Sequence, residues 1–373
     1  MKFRILILLS LCFFSVKAQY LSTPQDGGNK KAGVSERIGL TDVSVSYDRP
    51  ALKGREGKIW GQLVHFGYAD LGFGTSKAAP WRAGANENTI ISLSTDVKIE
   101  GKDLSAGKYA LFMAVQENEV TLIFSKNASS WGSYFYDQAE DALRVNIKPI
   151  KDLPLVERLK FEFGDQTESS ATLNLLWEKW KIAFKIEVDL PKTVLASVRN
   201  ELRNERGFYW QSFQQAATLA LKYGSTDEAL LWANKAISEP FIGEANFQTL
   251  TTKSQILRKL NRNEEADITI KEAIQKGNYQ ELEQLAKQFA SQKRLPEALD
   301  VLKVNASKNP SILAANVSLA KGYAALSDFK NATKTAKIAE AQTQLPAEKE
   351  SIAKMIKAYS EGKESLSETT PKK

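Results

Sequence analysis

The stretch KIAFKIEVDLPKTVLASVRN, Lys181–Asn200, decides the fold. Up to Val188 apolar and polar residues alternate, with Ile182, Phe184 and Ile186 on one face, as in a half-buried strand. Beyond Pro191 that period of two gives way to the spacing of helices. The chain changes architecture once, near Pro191, and two domains suit its 373 residues, more than a single core usually fills.

Upstream the alternation recurs. Val43, Val45 and Tyr47 share one face of VSVSY; Tyr109, Leu111, Met113 and Val115 share one face of KYALFMAV; Val120, Leu122 and Phe124 follow. Leu143, Val145 and Ile147, then Leu159, Phe161 and Phe163, continue the series, and LNLLW with KIAFKIEV reads as a hairpin turning near Glu178 and Lys179. Turn chemistry separates the runs at Glu100–Asp103, Ser105–Lys108 and Glu117-Asn118. Eight or so short strands predict an antiparallel β-sandwich or jelly roll over residues 39–190.

Downstream, alanines at 229, 266, 298 and 332 recur at spacings of 37, 32 and 34 residues. Each follows, by about twelve positions, an earlier small residue: Ala217, Ser254, Ala286 and Ala320. Leu257, Phe289 and Tyr323 supply a large residue three further on, and Ala236, Ala273 and Ala339 a small one seven beyond Ala229, Ala266 and Ala332; Asn305 departs from the pattern. These helix pairs resemble tetratricopeptide repeats, whose small residues let antiparallel helices approach closely. The expectation is an all-α repeat domain over 191–360, closed by the capping helix 346–359 and followed by a disordered tail, 361–373. Such stacks present a groove to a protein or peptide, here lined by Gln214, Thr218, Thr251, Gln255, Glu283, Lys287, Asn316 and Lys321. The alternative is that the repeats only brace the β-domain.

The first eighteen residues read as a cleaved signal peptide: Lys2 and Arg4, an apolar run too short to span a bilayer, then small residues before Gln19. Leu11 before Cys12 disfavours a lipid anchor, so the expectation is an exported chain, periplasmic or secreted, with an N-terminal extension at 19–38. Without Cys12 no cysteine remains, which excludes disulfides and thiolate metal sites. Losing Lys2, Arg4 and Lys17 takes the formal charge from +7 down by three to +4. Lysines and glutamates are interleaved, which argues against a nucleic-acid footprint. No metal-ligand spacing, phosphate loop or nucleophile elbow is present, and no cofactor is expected.

Three polar segments stand out in the β-half: Ser46–Gly67, PWRAGANENT at Pro80–Thr89, and Ser129–Val145. Their motifs run in order: YDRP with KGR at 47–55, IWG with LV at 59–64, PWRAGANE at 80–87, the hairpin GKDLSAGKYAL at 101–111, Trp131-Gly132 and Arg144-Val145. Over about residues 36–190 this order resembles the exported bacterial family catalogued as domain of unknown function twenty-nine eleven. The resemblance implies no activity and hands over no catalytic residues. His65, the single histidine, stands where the family more usually has proline, which argues against an essential role.

Arg49, Lys53, Arg55 and Arg82 admit two readings: a concave basic patch for phosphate or carboxylate groups, or a buried network with Asp48, Asp70 and Glu87 that fixes long loops. Trp60, Trp81 and Trp131, each beside glycine or proline, either stack on a sugar or peptide or anchor the core. Gly84 and Ala85 make WRAGANE a shaped loop that brings Arg82, Asn86 and Glu87 toward one place. The leading expectation is a binding or scaffold protein whose candidate ligand residues are Arg49, Lys53, Arg55, Trp81, Arg82, Asn86 and Glu87, for a glycan, peptide or anionic ligand. The rival is a glycan-directed hydrolase using Glu87 or Asp48 as general acid or base.

Overall fold

The computed structural model describes residues 28–363, so the expected signal peptide, the start of the 19–38 extension and most of the 361–373 tail lie outside the described residues. The chain forms two compact units that divide between Leu190 and Pro191.

The first unit is two antiparallel sheets. One runs in the order β1 (Lys30–Ile38), β2 (Thr41–Arg49), β3 (Ile90–Leu93), β6 (Gly107–Val115), β7 (Val120–Ser125), β8 (Asp141–Ile147). The other runs β5 (Lys102–Leu104), β4 (Val97–Ile99), β11 (Trp180–Glu187), β10 (Ser170–Glu178), β9 (Val156–Gly164). Strand β1 corrects the sequence reading: most of the second half of the expected extension is an edge strand, paired with β2 from Lys30↔Arg49 to Ile38↔Thr41. Exposed and less exposed places alternate along it, but the inward places hold Ala32, Val34, Glu36 and Ile38, a charge among small apolar residues, so the pattern is faint in the sequence.

The period-two residues meet between the sheets. Val43, Val45, Ile91, Leu111, Met113 and Leu122 are buried in one cluster with Leu173, Leu175, Trp177, Ile182, Phe184 and Ile186. Local turns fix the registers. Glu100 (φ +48°) and Gly101 (φ +78°) are both left-handed between β4 and β5, as a two-residue hairpin turn demands. The β10–β11 hairpin turns where the sequence places it, with Trp177 opposite Trp180. Strand β6 is buried on both faces: Ala110, Phe112 and Ala114 point away from the main core into a second cluster with Ile123 and Tyr136. The segment after β7 therefore lies on the outer face of the six-stranded sheet, where it shapes the site described below.

The second unit consists of α1 (Leu190–Glu201), α2 (Trp210–Lys222), α3 (Thr226–Ser238), α4 (Phe247–Lys259), α5 (Asn263–Lys276), α6 (Tyr279–Ser291), α7 (Leu295–Lys308), α8 (Leu313–Ala325), α9 (Phe329–Ala341) and α10 (Pro346–Ser360). The pairs α2/α3, α4/α5, α6/α7 and α8/α9 are the four repeats, and α10 packs on α9. All the small repeat residues, Ala217, Ser254, Ala286 and Ala320 with Ala229, Ala266, Ala298 and Ala332, are buried. Ser254 Oγ donates to Ala266 O at 2.8 Å, a contact that requires close helix approach. Asn305 fills the place of an alanine without exposure because its amide donates to Tyr279 O (3.2 Å) and its Oδ1 accepts from Asn309 (2.9 Å). Asn246 and Asn278 close capping boxes at the starts of α4 and α6.

Arg199 on α1 grips Glu228 on α3 with two hydrogen bonds of 2.7 Å. Chiefly through that bond the Glu228 carboxyl falls from an ordinary 4.5 to about 2. A depressed carboxylate contributes stability above its unfolded value and loses it as the proton binds. The clamp should therefore be complete above pH 4.5 and drain away between pH 4.5 and about 2. Thermal melts of wild type and Glu228→Gln across that window should converge as the pH falls; the gap is small, since the pair is partly exposed.

Candidate ligand cleft of the β-sandwich

PWRAGANENT is an excursion from a single strand pairing. Trp81 exchanges both backbone hydrogen bonds with Met113 on β6 (3.0 and 2.8 Å), and Leu111 N donates to Thr89 O (2.8 Å), so residues 82–88 bulge out between two contacts with the same strand. The bulge is stitched internally: Trp81 Nε1 to Gly84 O (3.2 Å), Arg82 Nη1 to Asn86 O (2.7 Å) and Thr89 Oγ1 to Ala83 O (3.1 Å). A Cβ at Gly84 would lie 2.8 Å from Thr89 Oγ1 and 3.1 Å from the Asp48 carbonyl oxygen, so no side chain fits there. The excursion carries Glu87 and Asn88 to the outer face of the sheet.

There they close a cleft of about 420 Å³ with Lys31 of β1, Ser46 and Asp48 of β2, and Ser129, Ser130 and Trp131 of the segment after β7. Tyr47 faces the core, so alternation turns Asp48 outward. Its side chain is only 3% exposed, and its ionic partner is Lys31 at 3.6 Å. Lys31 also donates to Glu87. Asp48 Oδ1 and Asn88 Oδ1 are both buried with no hydrogen-bond partner among the described residues. Trp131 is 55% exposed. It stacks parallel to Tyr134 (centroids 5.9 Å, 5°), and the Arg82 guanidinium sits 5.4 and 5.5 Å from the two ring centroids.

Of the residues singled out from sequence, Asp48, Glu87 and Trp131 reach this cleft. The four cations of the basic-patch expectation are not among the residues that border this cleft, and each has a contact of its own elsewhere. Arg49 Nε donates to Leu159 O of β9 (2.9 Å). Arg55 closes its own loop through Leu52 O and Ala51 O (both 2.8 Å). Arg82 serves Asn86 O. Lys53, exposed on a left-handed backbone, is held through its amide by Glu157 (3.2 Å). Glu87 pairs with Lys31 and not with Arg82. Asn86 stays in the bulge, its Oδ1 accepting from Asn29 at 3.4 Å.

Trp81 is likewise corrected as a surface ligand residue. It is 8% exposed, stacked on Trp177 (6.2 Å, 18°) and edge-on to Trp60 (5.6 Å). Trp60 in turn stacks on Trp180 (4.8 Å), leaving Trp131 as the surface tryptophan of the three. Tyr136 is buried, donating to Asp141 (2.7 Å) beside Arg144 (2.6 Å), and burial raises both the Tyr136 hydroxyl and the Asp141 carboxyl. His65 lies outside the cleft wall, half-buried, and burial lowers its proton affinity. Sequence reasoning missed Lys31, Asn88 and the pair Ser129 and Ser130 as cleft residues. The alternation of Ala32, Val34, Glu36 and Ile38 was the one local signal for the strand that carries Lys31.

In the helical unit, Thr251, Gln255 and Arg258 of α4, Leu285 and Gln288 of α6 and Gln292 just after it border a recess of about 160 Å³. Arg294 lies 4.2 Å over the Phe289 ring beside it. Thr218, Gln255, Lys287 and Lys321 are exposed, whereas Gln214 is tied to Thr252 (3.0 Å) and Glu283 to Ser318 (2.7 Å). Asn316 does not face a groove: it is buried, donating to Pro310 O and Gln342 (both 3.1 Å). No described helix is long and apolar enough to cross a membrane.

The fold and the site define a two-sheet antiparallel sandwich with a polar outer cleft, followed by a stack of tetratricopeptide-like helix pairs. Residues 29–186 match the family described as "Protein of unknown function (DUF2911)". Among solved structures the chain is similar to YrrB, a TPR protein with an unusual peptide-binding site: 15% identity, 45% of this chain and 86% of that one covered, TM-score 0.28. It is similar to the C-terminal part of a TPR repeat-containing protein from Cytophaga hutchinsonii (11% identity, 46% and 67% covered, TM-score 0.32). A tetratricopeptide repeat protein from Parabacteroides merdae is also similar (16% identity, 41% and 60% covered, TM-score 0.29). No curated protein matches the chain. The repeat assignment stands on the chain's own helix pairs and their buried small residues.

Proposed function

We propose that the chain is an exported two-module binding protein, its β-sandwich cleft holding a small polar ligand and its helical stack docking a protein segment. The observation that carries this reading is the pair of buried oxygens, Asp48 Oδ1 and Asn88 Oδ1, that have no hydrogen-bond partner among the described residues, in a cleft whose wall mixes polar side chains with Trp131. A buried acceptor left without a donor costs about 1–3 kcal/mol, which a ligand hydroxyl or N–H would recover. In the helical unit, the amide side chains Gln255, Gln288 and Gln292 around one recess suit the backbone of an extended segment. Export rests on the leader-like residues 1–18.

The hydrolase reading gains one point and loses another. Asp48 and Glu87 do share the cleft, yet the Lys31 ammonium bonds to both, in the space where a scissile glycosidic oxygen would have to lie between two carboxyl groups. Binding is the better-supported role.

A photo-crosslinking residue placed singly at Ser130, Gln255 and Lys271 in the full chain, expressed in its own cells, tests the proposal. Ser130 should yield an adduct of small mass and Gln255 a protein adduct, while Lys271, exposed on α5, should yield neither. Equal adducts at all three positions, or none at Ser130 and Gln255, would contradict it.

A further inference from the structure

Resting on that binding reading, we propose that the cleft takes a neutral pyranose unit of a glycan, its C–H face laid on Trp131 and adjacent hydroxyls turned to Asp48 and Asn88. Four features of the cleft lead there.

The first is the kind of hydrogen bond left unmade. Asp48 Oδ1 and Asn88 Oδ1 are acceptors, so the ligand must bring donors. Lys31 brings only N–H donors to the same cleft, and Ser129 and Ser130 bring hydroxyls. A ligand has to donate at one side and accept at the other within a few ångströms. A sugar hydroxyl does both with one group, and two hydroxyls on neighbouring carbons do so twice.

The second is a rigid aromatic platform. A half-exposed tryptophan is ordinarily free to change rotamer, but Trp131 is held by the parallel Tyr134 ring and by the Arg82 guanidinium over both rings, and still leaves more than half of its surface open. Gly132 (φ +65°) makes that arrangement possible, since a Cβ there would stand 2.8 Å from Arg82 Nη1. The result is a fixed apolar plane in a polar cleft, which matches a pyranose: one face of C–H groups, a rim of hydroxyls.

The third is charge. Lys31 is already shared by Asp48 and Glu87, and Arg82 stands over the Trp131 ring, so the formal charges of the four groups balance. An anionic ligand must draw a cation from its present partner, and a cationic ligand must displace Lys31 from both carboxylates. A neutral ligand meets neither cost. The fourth is size: about 420 Å³ lies within the ~300–1,000 Å³ usual for small-molecule sites and holds a ring with part of its neighbour.

Saturation-transfer NMR and calorimetry on the full chain test this, with neutral hexose and N-acetylhexosamine disaccharides, glucuronate, glucosamine and inorganic phosphate as probes. At least one neutral disaccharide should bind, and Trp131→Ala should weaken it roughly tenfold or more, the loss of one stacked ring contact. Trp131 is exposed enough for that variant to fold, checked by circular dichroism, and Ser130→Ala should give a smaller loss in the same direction. Lys271→Ala, exposed on α5 in the other unit, should leave the affinity unchanged. Binding of only a charged probe, weakened by Trp131→Ala, would overturn the neutral-sugar assignment while sustaining the binding reading. Saccharide binding indifferent to Trp131→Ala, or no saccharide binding at all, would overturn the assignment. Failure of the binding reading itself is read separately, as the absence of any adduct at Ser130.

Discussion

Trp177→Ala should destabilise the β-sandwich by about 3–5 kcal/mol, the range for deleting a large aromatic side chain from a close-packed core. Trp177 is 1% exposed, stacked on Trp81 and edge-on to Trp60 at 6.0 Å. Its removal leaves a cavity bounded by two other indoles, and these sit on segments pinned by backbone bonds, Trp81 to Met113 and Gly61 to Val64, so collapse into the space is limited. Because Trp81 begins the excursion that delivers Glu87 and Asn88, the variant should also loosen the cleft and lower ligand affinity along with stability. Trp177→Phe should cost distinctly less. The indole Nε1 of Trp177 is buried with no hydrogen-bond partner among the described residues, so phenylalanine loses volume but also removes an unsatisfied donor. Near-ultraviolet circular dichroism during thermal unfolding reads both variants; equal losses for alanine and phenylalanine would contradict the packing account.

Ala266→Leu should destabilise the helical unit by about 1–3 kcal/mol, with the damage centred on the α4/α5 pair. Ala266 is fully buried, and its carbonyl accepts from Ser254 Oγ at 2.8 Å, so the two helices already meet at the distance small residues allow. Three further carbons have no space unless the helices part, and parting breaks that hydrogen bond. Stacked repeats touch chiefly their neighbours, so the α8/α9 pair should keep its amide-exchange protection while α4 and α5 lose theirs. Ile268→Ala on the same helix serves as control: Ile268 is 69% exposed, and its replacement should change stability by less than about 0.5 kcal/mol. A variant at Ala266 as stable as wild type would contradict the repeat packing.

The legible parts of this chain were those decided by neighbours in sequence. Alternation named the inner faces of β2, β6, β10 and β11, because a buried sheet face needs apolar residues at every second place. Glu100-Gly101 announced its hairpin because two left-handed residues suit few other purposes. The recurring alanines announced the helix pairs because close approach excludes anything larger. The candidate site was legible only in part, through Asp48, Glu87 and Trp131. Arg49 read as free to bind an anion because its actual partner, the Leu159 carbonyl, is a backbone atom far along the chain and leaves no trace in side-chain identity. Trp81 and Trp131 look alike in sequence, each beside glycine or proline; the difference is that Trp81 is paired with β6 and so enters the core, which only the folded sheet decides. Lys31 escaped notice because its edge strand has a charged residue, Glu36, among its inward places and so resembles a polar extension.

Amide hydrogen exchange of the full chain, with and without a saturating neutral disaccharide, tests the central claim most directly. The account predicts slowed exchange in two segments brought together only by the fold, 86–90 and 127–132, with residues 46–48 following and α4 to α6 unchanged. Protection confined to other segments, or none in either of these two, would contradict the assignment of this cleft as the binding site.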